Sequence, residues 1–288
     1  MRTISVVPVV WAALLLLAAC GGSEPGEPVA PITLLKGGTV YSGEDTEPVV
    51  TDVWLQGDRI VGVGESNGIE ANRIIDVSGL AVAPGFIDVH THADRLIASQ
   101  PDVANDLLQG VTTVVGGNCG GSQYPLQQLF GELRASGIAL NFASLVGHNT
   151  VRRKVMGNDD RIPSPQELSK MQSLVKQEML AGAIGLSTGL SYVPGRFSTT
   201  EEIAALARMV QPFDGLYATH MRNQGLQIKE AIEEAVRIGR EAGGIPVQIS
   251  HIKLAHEAAW GNHDLVTGPI EEARRKGFQV LMDQYPYT

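Results

Sequence analysis

Hydrophobic and polar positions divide the chain into four stretches. Residues 6–19 are almost continuously apolar. Residues 21–31 are rich in Gly, Pro, Ser and Glu, a composition that makes a flexible tether rather than a core. From residue 32 to 83, short apolar runs at 32–35, 39–41, 52–55 and 59–63 are parted by Gly-rich breaks, and Gln56-Gly57-Asp58 reads as a hairpin turn. This predicts a small β module.

From residue 84 to 288 the period changes. Apolar runs at 86–90, 112–115, 141–146, 183–187, 216–220, 246–251 and 278–285 read as buried strands, with helical patterns between them. The best-marked helix starts at Ser164-Pro165-Gln166-Glu167, a capping box with Pro in the first turn. Its apolar residues Leu168, Met171, Leu174, Val175 and Met179 recur at helical spacing. Thr199 and Glu202 open another helix, through Met209; a third covers 228–242, with Gly243 as its C-cap; a fourth covers 270–276. Strands alternating with helices predict parallel βα units in an α/β fold. Seven such strands, with no Gly-rich phosphate fingerprint after the first, favour an incomplete (β/α)₈ barrel over a doubly wound open sheet.

The ends and the charge narrow the setting. The apolar run is shorter than the roughly 20 residues of a spanning helix, so it reads as a signal segment. It closes in Leu17-Ala18-Ala19-Cys20-Gly21, the pattern at which a lipoprotein signal peptidase cleaves before a lipidated Cys. The expected product is exported and held to the bacterial membrane by a lipid on Cys20, at the outer membrane if the host is Gram-negative. A net charge of −9 gives no reason to expect nucleic acid. The chain has two cysteines; with Cys20 lipidated, Cys119 has no disulfide partner, and metal ligation is one reason to keep it.

The candidate chemistry sits at the C-terminal ends of the predicted strands, where barrel enzymes build their sites. His90 and His92 follow the first strand, Cys119 the second, His220 the fifth and His251 the sixth. Residues two apart in extended chain point the same way, so His90 and His92 can reach one metal. A thiolate beside imidazoles is a donor set suited to zinc. His148, after the third strand, is a candidate pocket residue, whereas His256 and His263 fall in a loop without a role.

The run Pro84-Gly85-Phe86-Ile87-Asp88-Val89-His90-Thr91-His92-Ala93-Asp94 resembles the first-strand signature of the amidohydrolase superfamily. The GNCG, GHNT, GLSYVPG, THMRNQ, SHIK and DQYPYT segments, in that order, resemble the D-aminoacylase family, over residues 32–288. The resemblance implies a barrel with a small β-sandwich drawn from both chain ends. It implies a tight zinc on Cys119, His220 and His251, and a second, weaker metal on His90 and His92 with Cys119 bridging. Lys253 and Tyr285 would hold a substrate carboxylate, and Tyr192 would lie near the scissile amide. The fourth strand ends Gly185-Leu186-Ser187-Thr188, without the Lys that other binuclear amidohydrolases carbamylate there.

The expected function is zinc-dependent hydrolysis of N-acyl-D-amino acids, small molecules with a free carboxylate. Alternatives are an amidohydrolase for a cyclic imide or a dipeptide, and a lipid-anchored solute-binding protein without catalysis. The resemblance puts the general acid/base Asp at the end of an eighth strand, beyond Thr288, and an Arg that also grips the substrate carboxylate further on. On this reading residues 1–288 are a fragment and inactive alone, with residues 32–83 as the sandwich portion and 84–288 as the incomplete barrel.

Overall fold

The computed structural model describes residues 30–285 and 287, apart from 45, 66 and 67. The expected signal segment, Cys20 and the tether to residue 29 lie outside them. So does Thr288, and with it the general acid/base Asp expected beyond Thr288. The chain divides into two units, one ending at Pro84 and one starting at Gly85. Among the described residues no helix is long and apolar enough to cross a membrane.

The first unit is one five-stranded sheet of β1 (Ile32–Val40), β2 (Val49–Gln56), β3 (Arg59–Val63), β4 (Arg73–Asp76) and β5 (Ala81–Val82). β2 pairs antiparallel with β1 and β3, whereas β4 and β5 lie parallel to β1. Gln56-Gly57-Asp58 closes the β2–β3 hairpin, as expected. The apolar pattern breaks at Lys36-Gly37-Gly38, but β1 runs through with a register shift there. Gly37, at φ +74°, makes a bulge rather than a turn. Leu34, Val53 and Trp54 are buried in this unit.

The second unit carries the parallel strands. They are β6 (Phe86–Asp88), β7 (Val111–Gly116), β8 (Asn141–Ser144), β9 (Val146–Gly147), β10 (Gly185–Gly189), β11 (Leu216–His220), β12 (Val247–Ile249) and β13 (Val280–Met282). β6, β7 and β8 form one sheet and β9 to β13 another, neighbours in chain order. β8 and β9 are halves of the predicted third strand, parted at Leu145, whose N–H still donates to the Gly116 carbonyl at 3.0 Å. The result is a row of seven parallel strand positions from β6 to β13.

The connections are helical: α1 (Ala104–Leu107), α2 (Leu126–Ser136), α3 (His148–Met156), α4 (Pro165–Leu180), α5 (Thr200–Ala207), α6 (Ile228–Glu241) and α7 (Asp264–Arg275). Their apolar stripes supply the core. On α6, Ile228, Ala231, Ile232, Ala235 and Ile238 are buried at helical spacing. Met171, Val175 and Met179 of α4 and Leu126, Leu129 and Leu133 of α2 do the same. Each buried large aliphatic side chain contributes about 1.5–3 kcal/mol by leaving water. The helix expected at 270–276 starts six residues earlier, at Asp264, and runs through Gly268-Pro269. Leu265 and Val266 pack on the core there, and that packing outweighs the amide hydrogen bond that Pro269 lacks.

The capping box on α4 is present. Glu167 N–H donates to Ser164 Oγ at 3.3 Å and Ser164 N–H to Glu167 Oε2 at 2.8 Å. Arg161 grips the same carboxylate with two bonds of 2.8 and 2.7 Å. The Arg161 guanidinium, with the Ser164 donors, holds the Glu167 carboxyl down from 4.5 to about 2. Ser164→Ala should lower the unfolding free energy by about 1 kcal/mol in a denaturant titration. The folded Glu167 pKa lies below the unfolded one, so its contribution is full above pH 4.5 and lost as pH falls through about 2. Glu167→Gln should therefore destabilise at neutral pH and progressively less toward pH 2.

Candidate metal centre

Parallel strands point their C-terminal ends the same way, and the chemically active side chains lie at or just beyond those ends. The Asp88 carboxylate, at the end of β6, accepts the His90 N–H at 3.0 Å and shapes the turn that presents His90. Asn118, buried after β7, donates its amide to the Val115 carbonyl at 2.9 Å and the Val89 carbonyl at 3.3 Å. Thr91 N–H reaches the Val115 carbonyl at 3.1 Å. The His90-Thr91-His92 turn is thereby tied to the turn that carries Cys119.

Cys119 and His251 have positive φ, +54° and +37°. A side chain in that region costs about 1–2 kcal/mol, which the surrounding packing must offset. The packing is tight enough to require glycine. A Cβ on Gly189 would overlap the Cys119 carbonyl oxygen, and one on Gly120 would overlap the Asn149 amide.

The Cys119 sulfur lies 3.4 Å from His90 Nε2, 3.6 Å from His251 Nε2 and 3.8 Å from His220 Nδ1. Two groups share it: His90, His92 and Cys119, and Cys119, His220 and His251, with donor atoms in each within 4.8 Å of one another. His92 is exposed and its ring stands edge-on to His90 at 5.8 Å. Burial pushes the Cys119 thiol up, but the hydrogen bonds from His220, His251, His90 and His92 outweigh it and bring it to about 3. Burial pulls His90 down, but the Asp283 carboxylate and the Cys119 thiolate outweigh it and raise the ring to about 9. The sulfur is a thiolate at neutral pH, the form that binds metals.

The spacing also fits zinc. Tetrahedral zinc, about 2.3 Å from sulfur and about 2.0 Å from nitrogen, holds those donors about 3.5 Å apart. The separations here run from 3.4 to 3.8 Å. Each inward ring has a partner on its other nitrogen. Ser191 Oγ lies 2.7 Å from His220 Nε2, Gln224 Nε2 3.0 Å from His251 Nδ1, and Asp283 Oδ1 3.2 Å from His90 Nδ1.

The residues expected near the substrate surround this cluster. Tyr192 OH is 3.3 Å from His220 Nδ1 and its ring 4.5 Å from the His220 ring. Lys253 Nζ donates to the His251 carbonyl at 3.0 Å and stands 5.5 Å from the Tyr285 ring centre. Partial burial pulls the Lys253 ammonium down, against the opposing charges of Cys119 and Asp283. A cleft of about 830 Å³ opens here, with His90, His92, His251, Asp283 and Tyr285 in its lining. At the end of β10, Thr188 hydrogen-bonds Tyr217 and Thr219, and no Lys is present.

His148 does not line this cleft. It is fully buried at the start of α3, 3.0 Å from Glu202 Oε1, which also accepts from Arg152 at 3.1 Å. A buried carboxylate draws the imidazole and the guanidinium inward together. His256 and His263 lie outside the cluster; His256 accepts the Ala258 N–H at 3.1 Å. The sequence reasoning passed over Asp283, Ser191 and Gln224. Their signal was position, since each lies just past a strand in a segment already notable for its neighbours.

The amidohydrolase family profile matches residues 73–277. The chain is 40% identical to D-aminoacylase of Alcaligenes xylosoxydans xylosoxydans over 278 residues, 88% of this chain and 57% of that protein. A D-aminoacylase structure described by its binuclear metal centre superposes with a TM-score of 0.84 at 39% identity, covering 88% of this chain and 58% of that one. N-acyl-D-glutamate deacylase from Bordetella bronchiseptica, complexed with zinc and a phosphonate mimic of the tetrahedral intermediate, superposes at 0.85 with 33% identity, covering 90% of this chain and 59% of that one. The chain thus spans somewhat over half the length of these relatives. The profile match across most of its length shows that the chain belongs to the amidohydrolase family, and its likeness within that family is to the D-aminoacylases.

Proposed function

We propose that the chain carries the metal-binding part of a zinc-dependent deacylase that cleaves N-acyl-D-amino acids to a carboxylate and a free D-amino acid. The observation that carries this reading is the Cys119 sulfur shared between the two histidine groups. Cys119, His220 and His251 would hold a tight zinc, and His90 and His92 a second, weaker metal bridged by Cys119. Bound zinc supplies a Lewis acid and lowers the pKa of a bound water toward about 7. Lys253, with Tyr285 beside it, binds the substrate carboxylate by a charged hydrogen bond. Tyr192, against His220, donates toward the scissile carbonyl.

The row of strands supports a (β/α)₈ barrel, because Asp283 after β13 lies within 3.2 Å of His90 after β6, so the row curls round on itself. We place the proton-carrying carboxylate beyond Thr288, on an eighth strand between β13 and β6. Two carboxylates near the site do not take that place. Asp88 shapes its own turn, and Asp94 is buried with its carboxyl pushed up by that burial. On this reading residues 1–288 bind metal and ligand but do not turn substrate over.

Equilibrium dialysis with metal analysis should find zinc on the chain and none on Cys119→Ala. Lys253→Met should keep the zinc and bind an N-acetyl-D-amino acid roughly 10- to 100-fold more weakly by calorimetry, the loss of one charged hydrogen bond. Zinc retained without Cys119 contradicts the assignment, and turnover by residues 21–288 contradicts the eighth-strand proton carrier.

We also propose export and lipid anchoring through Cys20, on the support of the apolar run 6–19 and the Leu17–Gly21 sequence. Cells fed a labelled fatty acid should label the wild-type chain and not Cys20→Ser; equal labelling of both removes the anchor.

A further inference from the structure

Asp283 is the first residue after β13, and its carboxylate does not face open solvent. The side chain is 15% exposed and makes contacts to three segments. Oδ2 accepts from Gln248 Nε2 of β12 at 2.8 Å. Oδ1 accepts the His251 N–H at 2.7 Å and stands 3.2 Å from His90 Nδ1. The backbone is held as well, with Asp283 N–H on the Ile249 carbonyl at 3.0 Å and Ile252 N–H on the Asp283 carbonyl at 2.9 Å. This is a fixed carboxylate, aimed by β12 and β13 at a ring carried by β6.

We infer that Asp283 is a positioning residue for His90, and through it for the His90–His92–Cys119 metal group, an inference that rests on the metal-centre reading above. In the neutral form of the ring, the one able to ligate, the pairing makes Nδ1 the protonated nitrogen of His90, so the lone pair sits on Nε2, the atom facing the Cys119 sulfur at 3.4 Å. The carboxylate lies off the line of the Nδ1 hydrogen, and Nδ1 has no aligned hydrogen-bond acceptor. The contact is therefore a close charge pair that steers the ring rather than a linear hydrogen bond.

Asp283 differs in kind from the other outer partners. Ser191 and Gln224 are neutral, whereas a carboxylate behind an imidazole strengthens that ring as a ligand. The same Oδ1 also holds the His251 amide, at a residue with φ +37°. One oxygen thus touches a ligand of each metal group. Its loss falls hardest on His90, because the His251 ring keeps Gln224 and the positions of Cys119 and His220 do not depend on Asp283. With Gln248 and His251 N–H already on it, the carboxylate is committed to orientation and is not a free proton carrier.

Asp283→Asn keeps the size and an acceptor for the His251 N–H while removing the charge, so the fold is preserved. The full chain should bind a first zinc equivalent within about threefold of wild type and a second about 10- to 100-fold more weakly. In the metal-free chain well above pH 9, where the His90 ring is neutral, nitrogen NMR should show His90 protonated at Nδ1 in wild type and shifted toward Nε2 protonation in Asp283→Asn. A role in stability alone would weaken both equivalents equally and leave the tautomer unchanged, and that result overturns the inference. If wild type binds no zinc, the metal-centre reading fails, and the His90 tautomer still decides the role of Asp283. An unchanged tautomer refutes that role, and a changed one upholds it.

Discussion

The Cys119 sulfur is the point on which the geometry of the second unit converges. A buried thiol among apolar strands would normally stay protonated. Here His220, His251 and His90 reach within 3.8 Å of it, and their combined pull exceeds the cost of burying the charge. That arrangement depends on parallel strands, because only parallel pairing places the ends of β6, β7, β11 and β12 on one side. It depends also on glycine at 120 and 189, where no side chain fits between the Cys119 turn and its neighbours. The strain at Cys119 and His251 is held by the same packing.

The outer ring of contacts has a consistent logic. A metal site needs each imidazole to offer a lone pair inward, and the partner on the far nitrogen determines which tautomer does so. Ser191, from the turn after β10, and Asp283, from the end of β13, offer oxygens that can accept the proton of that far nitrogen; Gln224, from the segment after β11, brings an amide N–H against His251 Nδ1 and fixes the place of that ring rather than its tautomer. β10 and β13, which give no ligand, thus hold the ligands of other strands, and the centre belongs to the whole row rather than to the five ligands alone. The zinc and the phosphonate in the Bordetella bronchiseptica relative concern that protein, but the donor set here has the chemistry and the spacing for the same kind of ion.

The inner cluster was legible in the sequence because His and Cys are scarce and each followed an apolar run. The capping box on α4 was legible because its two hydrogen bonds are local. The outer partners were not, because Asp, Ser and Gln are common on surfaces and nothing in a linear pattern separates a solvated carboxylate from one aimed at a ring on another strand. The start of α7 was hidden by Gly268-Pro269, and the continuity of β1 by Gly37-Gly38, since propensity is local and the packing that overrides it is not. His148 resembled the strand-end histidines in position, but its partner Glu202 lies on α5, 54 residues away in sequence.

The central claim is that Cys119 is a zinc ligand with imidazoles around it. Zinc-edge X-ray absorption on the chain loaded with one equivalent tests it most directly. The account predicts one sulfur scatterer at about 2.3 Å together with nitrogen or oxygen neighbours at about 2.0 Å, with the outer-shell pattern of imidazole rings. A spectrum of nitrogen and oxygen neighbours without sulfur would contradict it.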